Sequence, residues 1–98
     1  FEVVLHREAL IPGEVTEIII AGKAIAMANV TGEFYATKSS CPNCDGPVSE
    51  GSVNGYDLSC PYCGWSYDLK SGKGTTNPDS HIDTYETNVT GDAVCVRL

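Results

Sequence analysis

Two Cys-x-x-Cys pairs constrain this chain more than any other feature of its sequence. Residues 41–44 read Cys-Pro-Asn-Cys and residues 60–63 read Cys-Pro-Tyr-Cys, with 15 residues between the pairs. This spacing is typical of two loops that share one tetrahedral metal ion. Two residues between ligands let each loop turn once around the ion while backbone N–H groups point at the thiolates. The predicted ligands are Cys41, Cys44, Cys60 and Cys63.

The residues that follow each pair predict how the loops close. Gly64 comes directly after the second pair, where we expect a positive φ or a close approach to sulfur. After the first pair the sequence is Asp45-Gly46, so that glycine is displaced by one position. The two loops should therefore be similar but not identical.

The cysteine count favours metal over disulfides. The chain has five cysteines, and an odd count with four of them in two matched pairs does not suit a disulfide framework. Four thiolates in a tetrahedron suit both zinc and iron, so the residues alone leave the metal open. Cys95 alternates with apolar residues in a predicted strand and is interpreted as a free packed thiol, and His6 and His81 are not predicted ligands.

The rest of the chain predicts an all-β fold. Short β-branched and aromatic runs are separated by turn residues, and no window has a helical period. The predicted strands are Glu2–Leu5, Thr16–Ile20, Ala24–Val30, Glu33–Lys38, Tyr56–Cys60, Trp65–Asp68, Thr84–Val89 and Ala93–Leu98. A hairpin over Gly51–Cys60, turning at Asn54-Gly55, should bring the two cysteine loops together.

Length and charge limit the classes of function. With 98 residues we expect one domain, 1–98, with a metal-binding subdomain at 41–67 inserted in a β base. A net charge of −7 with only six scattered basic residues argues against nucleic acid. The longest apolar run, Ala24 to Ala28, is too short for a membrane span, and no targeting segment is visible. We therefore expect a cytoplasmic monomer, and no catalytic set predicts an enzyme.

The segment CPNCDGPVSEGSVNGYDLSCPYCGWSYDLKSG resembles the cluster-binding region of Rieske-type ferredoxins, with the pattern Cys-x-His, a spacer and Cys-x-x-His-Gly-Trp. The preceding strands and the ending GDAVCVRL also resemble that family, so the resemblance covers nearly the whole chain. It implies an antiparallel β-sandwich in which two Cys and two His bind a [2Fe–2S] cluster. The cysteine positions match Cys41 and Cys60.

The histidine positions of that pattern hold Asn43 and Cys63, and Cys44 adds a further thiol. An Asn amide is a poor iron ligand, so the resemblance does not imply an ordinary Rieske cluster here. The second loop, Cys60 to Gly64, resembles the C-P-x-C-G loop of rubredoxin, which holds a single iron. We interpret the combination as a soluble, archaeal-type Rieske scaffold engineered to carry a rubredoxin-like site.

Two absences place the resemblance with soluble ferredoxins. The disulfide cysteines of Rieske proteins from respiratory complexes would fall at Gly46 and Tyr62, and a serine of that group would fall at Trp65. The predicted function is electron transfer by mononuclear iron with an unidentified redox partner protein. Structural zinc is the alternative, and a variant [2Fe–2S] cluster is a further one. Tyr62, Trp65 and Tyr67 are interpreted either as a shield around the metal or as ordinary core.

Overall fold

Antiparallel strands form two sheets in the computed structural model of the chain, which describes residues 2–97. The larger sheet has the order β1-β9-β8-β4-β3-β2, and the smaller one has the order β5-β6-β7. The strands are β1 (Glu2–His6), β2 (Val15–Ile20), β3 (Lys23–Val30), β4 (Glu33–Lys38), β5 (Ser52–Asn54), β6 (Asp57–Ser59), β7 (Ser66–Asp68), β8 (Thr84–Thr90) and β9 (Ala93–Arg97). The predicted all-β class is confirmed.

Two tight turns fix the register around β3. Ala21 and Gly22 have φ of 50° and 79°, and Thr31 and Gly32 have φ of 49° and 95°. Positive φ at both central residues is the requirement of the two-residue turns that match strand twist. The turns pair Ile20 with Lys23 and join β3 to β4 in the same way.

Strand β3 is buried on both faces and separates two cores. One face packs in the base core, whose members are Leu10, Ile20, Ile25, Met27, Phe34, Ala36, Val94 and Val96. The other face packs in the site core, whose members are Ala26, Ala28, Val30, Cys41, Val48, Leu58, Cys60, Tyr67, Leu69 and Ile82. Because successive side chains of a strand point to opposite faces, β3 ties the small sheet to the base.

The strand predictions hold for the base and shift at the site. The predicted strands at 56–60 and 65–68 are shorter in the structure, because Tyr56 belongs to the preceding turn and Cys60 and Trp65 belong to the second cysteine loop. β5 was predicted only as one arm of a hairpin, and the short 3-10 helices Arg7–Ala9 and Val48–Glu50 were not predicted. Leu98, the last residue of a predicted strand, lies outside the described residues.

None of the helices among residues 2–97 has the length and apolar character needed to cross a membrane.

Candidate metal centre

Two loops with the same backbone hydrogen bonds carry the cysteine pairs. In the first knuckle (residues 41–46) the N–H of Cys41 donates to the carbonyl of Gly46 at 2.8 Å, and the N–H of Asp45 donates to the carbonyl of Cys41 at 2.8 Å. The second knuckle (residues 60–65) repeats both bonds, from Cys60 to Trp65 at 2.8 Å and from Gly64 to Cys60 at 3.0 Å. The two knuckles are therefore equivalent position by position.

The fifth position of each knuckle takes a left-handed conformation. Gly64 has φ of 77°, as the sequence predicted, and Asp45 has φ of 62° in the first knuckle. Asp tolerates this region better than most residues with a side chain. The glycine after Asp45 is therefore not needed for the turn itself.

The four cysteine sulfurs lie close together. All lie within 4.8 Å of one another, with Cys41 Sγ 3.7 Å from Cys63 Sγ and Cys44 Sγ 3.5 Å from Cys60 Sγ. A tetrahedral ion with metal–sulfur distances of about 2.3 Å has sulfur–sulfur edges of about 3.8 Å. The two measured sulfur–sulfur distances between the knuckles are therefore close to this edge length.

The four cysteines differ in exposure. Cys41 and Cys60 are buried in the site core, Cys63 is half-buried and Cys44 is exposed. In each knuckle the first cysteine therefore faces the protein and the second lies nearer the surface. A metal bound here would have an inner pair and an outer pair of ligands.

Hydrogen-bond donors surround the sulfurs. The hydroxyl of Tyr67, a buried residue of β7, lies 3.5 Å from Cys41 Sγ and also 3.4 Å from Ser80 Oγ. Backbone N–H groups of Gly46 and Trp65 bond to the sulfurs of Cys44 and Cys63 respectively. Such donors stabilise thiolate charge.

The thiols do not ionise alike. The pKa of Cys63 is lowered to about 6, first by a hydrogen bond from the Asn43 side chain and then by the Trp65 backbone N–H. The Gly46 N–H acts to lower the pKa of Cys44, but desolvation and the three other thiols raise it to about 12. Burial raises the pKa of Cys60. Negative charge is therefore more favourable on the Cys63 sulfur than on the sulfurs of Cys44 and Cys60.

Cys95, His6 and His81, which were not predicted to be ligands, lie outside the four-cysteine group. Cys95 is a buried residue of β9, paired across the sheet with Val3 and Asn88. His6 Nε2 is 3.9 Å from Asp92 Oδ2, and His81 Nε2 is 3.1 Å from the Ser71 carbonyl. Within residues 2–97, the side chains that converge in ligand geometry are the four cysteines.

The three aromatic residues near the second pair have separate roles. Tyr67 is 1% exposed and belongs to the site core, Trp65 packs partly buried against that core, and Tyr62 is 60% exposed. The Tyr62 hydroxyl donates to Glu50 Oε1 at 2.9 Å. Sequence reasoning did not single out Glu50 or Ser80, since neither lies in a motif.

Comparison with known proteins identifies the scaffold. Residues 1–86 match the family model described as the Rieske [2Fe-2S] domain. The chain belongs to the Rieske domain family. Its Rieske fold accounts for the antiparallel sheets and for the two loops that converge beside the small sheet.

Several relatives of this Rieske domain are ferredoxins. It is 30% identical to the ferredoxin component of a naphthalene 1,2-dioxygenase system from Pseudomonas aeruginosa, over 88% of this chain and 84% of the relative. It is 34% identical to a 3-phenylpropionate/cinnamic acid dioxygenase ferredoxin subunit from Shigella flexneri, over 76% and 72%. These relatives are electron carriers, which classes the chain with carriers and not with enzymes.

Solved structures agree on the fold. The Rieske domain superimposes with a TM-score of 0.88 on a chain of the complex of reduced oxygenase and oxidized ferredoxin in carbazole 1,9a-dioxygenase. The match covers 97% of this chain and 99% of the other at 23% identity, so it establishes the fold alone.

The side chains at this site do not fit a cluster ligated by two imidazoles. Within residues 2–97 the converging group consists of the four cysteines and includes no histidine. The imidazole ligands that the outer iron of a Rieske cluster uses are therefore absent from this group.

Proposed function

We propose that the chain is a one-electron carrier whose redox centre is a single iron held by Cys41, Cys44, Cys60 and Cys63. The observation that carries the proposal is the proximity of the four cysteine sulfurs, which all lie within 4.8 Å of one another. Iron bound there supplies the ferric and ferrous states that one-electron transfer needs. The chain supplies position, burial and hydrogen bonds.

The inner and outer cysteines have different tasks in this proposal. Cys41 and Cys60 are held rigidly by the site core and anchor the ion to the scaffold. Cys44 is exposed and is the ligand nearest to a partner that docks on the loops. Because the ligands are preorganised by matching backbone bonds, the site needs little rearrangement when its charge changes.

Two other occupants would change the conclusion. A [2Fe–2S] cluster on the four thiolates is favoured by the family to which the chain belongs. Zinc fits a closed four-thiolate shell and would make the domain a structural module without redox activity. That the histidine positions were altered by design stays a prediction from the sequence.

Metal and sulfide analysis of the purified chain tests the proposal. After expression with excess iron we expect one iron per chain, no acid-labile sulfide, and a visible spectrum that bleaches on reduction. Two irons with sulfide would identify a cluster instead. Zinc in the purified chain, together with failure of the metal-free chain to bind iron during anaerobic reconstitution, would identify the structural module.

A redox protein is the proposed partner. The ferredoxin relatives are named as components of dioxygenase systems, and an oxygenase or reductase component of that kind would suit this carrier. The monomeric state and the cytoplasmic location stay predictions.

A further inference from the structure

Tyr62 connects parts of the site that the backbone leaves unconnected. Among residues 2–97, no backbone hydrogen bond runs between the first knuckle and the second. The side-chain links between them are the contacts among the thiols, the bond from Asn43 to Cys63, and the packing of Tyr62. Tyr62 extends from the second knuckle across the first.

The Tyr62 ring occupies the space that a side chain at residue 46 would need. A Cβ added to Gly46 would lie 2.7 Å from Tyr62 Cδ2 and 3.1 Å from Tyr62 Cγ. Real Cβ atoms do not approach so closely, so the ring rests on this glycine because the glycine has no side chain. The same added atom would lie 3.3 Å from Cys44 Sγ.

The second knuckle shows that its sixth position does not itself require glycine. Gly46 does not have positive φ, and the equivalent position of the second knuckle holds Trp65 with the same backbone hydrogen bond. The left-handed residue of the first knuckle is Asp45. The need for glycine at position 46 therefore comes chiefly from the contact with Tyr62, with a looser contact to Cys44 Sγ, and not from the turn.

The far end of the ring is tied to the scaffold. The Tyr62 hydroxyl donates to Glu50 Oε1 at 2.9 Å. Glu50 ends the 3-10 helix Val48–Glu50, in which Val48 is fully buried in the site core and its N–H donates to the Ser39 carbonyl at 2.7 Å. The ring thus spans the second knuckle, the first knuckle and the base.

We propose that Tyr62 is a positioning residue that clasps the two knuckles at the separation of one tetrahedral ion and so slows release of the metal. The inference rests on the single-ion site proposed above. When both loops are already held in place, metal binding no longer costs the entropy of ordering them. Release should be slow because the Tyr62 ring must move away before the loops can separate and an outer cysteine can dissociate.

The test measures zinc release from the folded chain to excess chromophoric chelator. Tyr62→Ala should release zinc on the order of tenfold faster or more, because it loses ring packing and the hydrogen bond. Tyr62→Phe keeps the packing and should release zinc roughly threefold to tenfold faster. Ile19→Ala is the control, since Ile19 is a similarly exposed apolar residue on β2.

A double-mutant cycle separates the clasp from general damage. Gly46→Ala should accelerate release in the parent chain and much less in Tyr62→Ala, where the clashing ring is gone and only the 3.3 Å contact with Cys44 Sγ remains. The unfolding midpoint of the metal-free reduced variants should stay near that of the parent, since Tyr62 lies outside the base core.

Release of zinc from Tyr62→Ala at the parent rate would overturn the clasp. Fully additive effects of Tyr62→Ala and Gly46→Ala on the release rate would also overturn it. The clasp would likewise be overturned if the faster release were accounted for by a lower unfolding midpoint of the variants. Because zinc fills the shell without redox chemistry, the assay does not depend on the iron result. Two irons with sulfide would overturn the proposed function while the release rates still decide the role of Tyr62.

Discussion

At the scale of single residues, the four thiols of the site differ in solvent exposure. The buried Cys41 and Cys60 are part of the site core, whereas Cys44 reaches the surface. Serine in place of a buried cysteine therefore removes a proposed ligand and leaves a hydroxyl among apolar neighbours. Serine in place of Cys44 removes only the ligand.

Replacing any of the four cysteines with serine should abolish stable metal binding or weaken it sharply, because an incomplete shell no longer closes around the ion. Cys95→Ser is the matched control and should retain the metal of the parent, since Cys95 lies in β9. Metal per chain after dialysis against a chelator measures the effect. Full metal content in Cys44→Ser would contradict the four-thiolate assignment.

Tyr67→Phe should lower the reduction potential of the iron form by roughly 40 mV. The Tyr67 hydroxyl lies 3.5 Å from Cys41 Sγ, and a donor to a ligand sulfur stabilises the more negative reduced state. A difference of about 1 kcal/mol between the two states corresponds to that shift for one electron. Voltammetry measures it.

The control for this change is Tyr35→Phe. The Tyr35 hydroxyl bonds to Glu33 at 3.1 Å, and its pKa, like that of Tyr67, is raised to about 12, chiefly by burial. Its removal should leave the potential unchanged. Equal shifts in both variants would assign the effect to general loss of a tyrosine hydroxyl and not to the sulfur contact.

At the scale of elements, the separation of the two cores by β3 predicts different outcomes for similar substitutions. Met27 and Leu58 are both fully buried, Met27 in the base core and Leu58 in the site core. Truncation of either to alanine should lower the free energy of unfolding by about 2–5 kcal/mol. Only Leu58→Ala should also speed metal release, because β6 leads directly into the second knuckle.

Chemical denaturation and zinc release, measured on the same samples, check this prediction. The variants should have similar losses of stability and different release rates. Equal acceleration by Met27→Ala would mean that the base and the site unfold as one unit.

The sequence predicted the elements where chemistry is local and missed those that depend on packing. Positive φ at Gly64 and the hairpin turn at Gly55 follow from the backbone freedom of glycine. The four-cysteine group follows from spacing. The 3-10 helix Val48–Glu50 has no such signal, because it is stabilised by burial of Val48 and by its position beside the site. The contact of Tyr62 with Gly46 joins separate loops and could not be derived from either alone.

At the scale of the whole molecule, charge and the placement of histidines govern the response to pH. Residues 41–69 contain four acidic residues and no basic ones. His6 and His81 contact Asp92 and Ser71 and not the sulfurs. The surroundings of the site therefore carry negative charge without an imidazole ligand that could exchange a proton.

The reduction potential of the iron form should stay constant between about pH 5 and pH 10. Proton uptake on reduction would lower the potential as pH rises, by about 59 mV per unit for one proton and one electron. Tyr67, which contacts Cys41, has a pKa of about 12 and stays protonated over this range. Voltammetry across the range checks the prediction, and a slope of that size would refute four-thiolate ligation.

The contact between residues 46 and 62 also has an evolutionary consequence. The Tyr62 ring fills the space that a side chain at position 46 would need. A homologue with a side chain at position 46 should therefore have a smaller or differently oriented side chain at position 62. Substitutions at these sites should therefore be inherited as pairs.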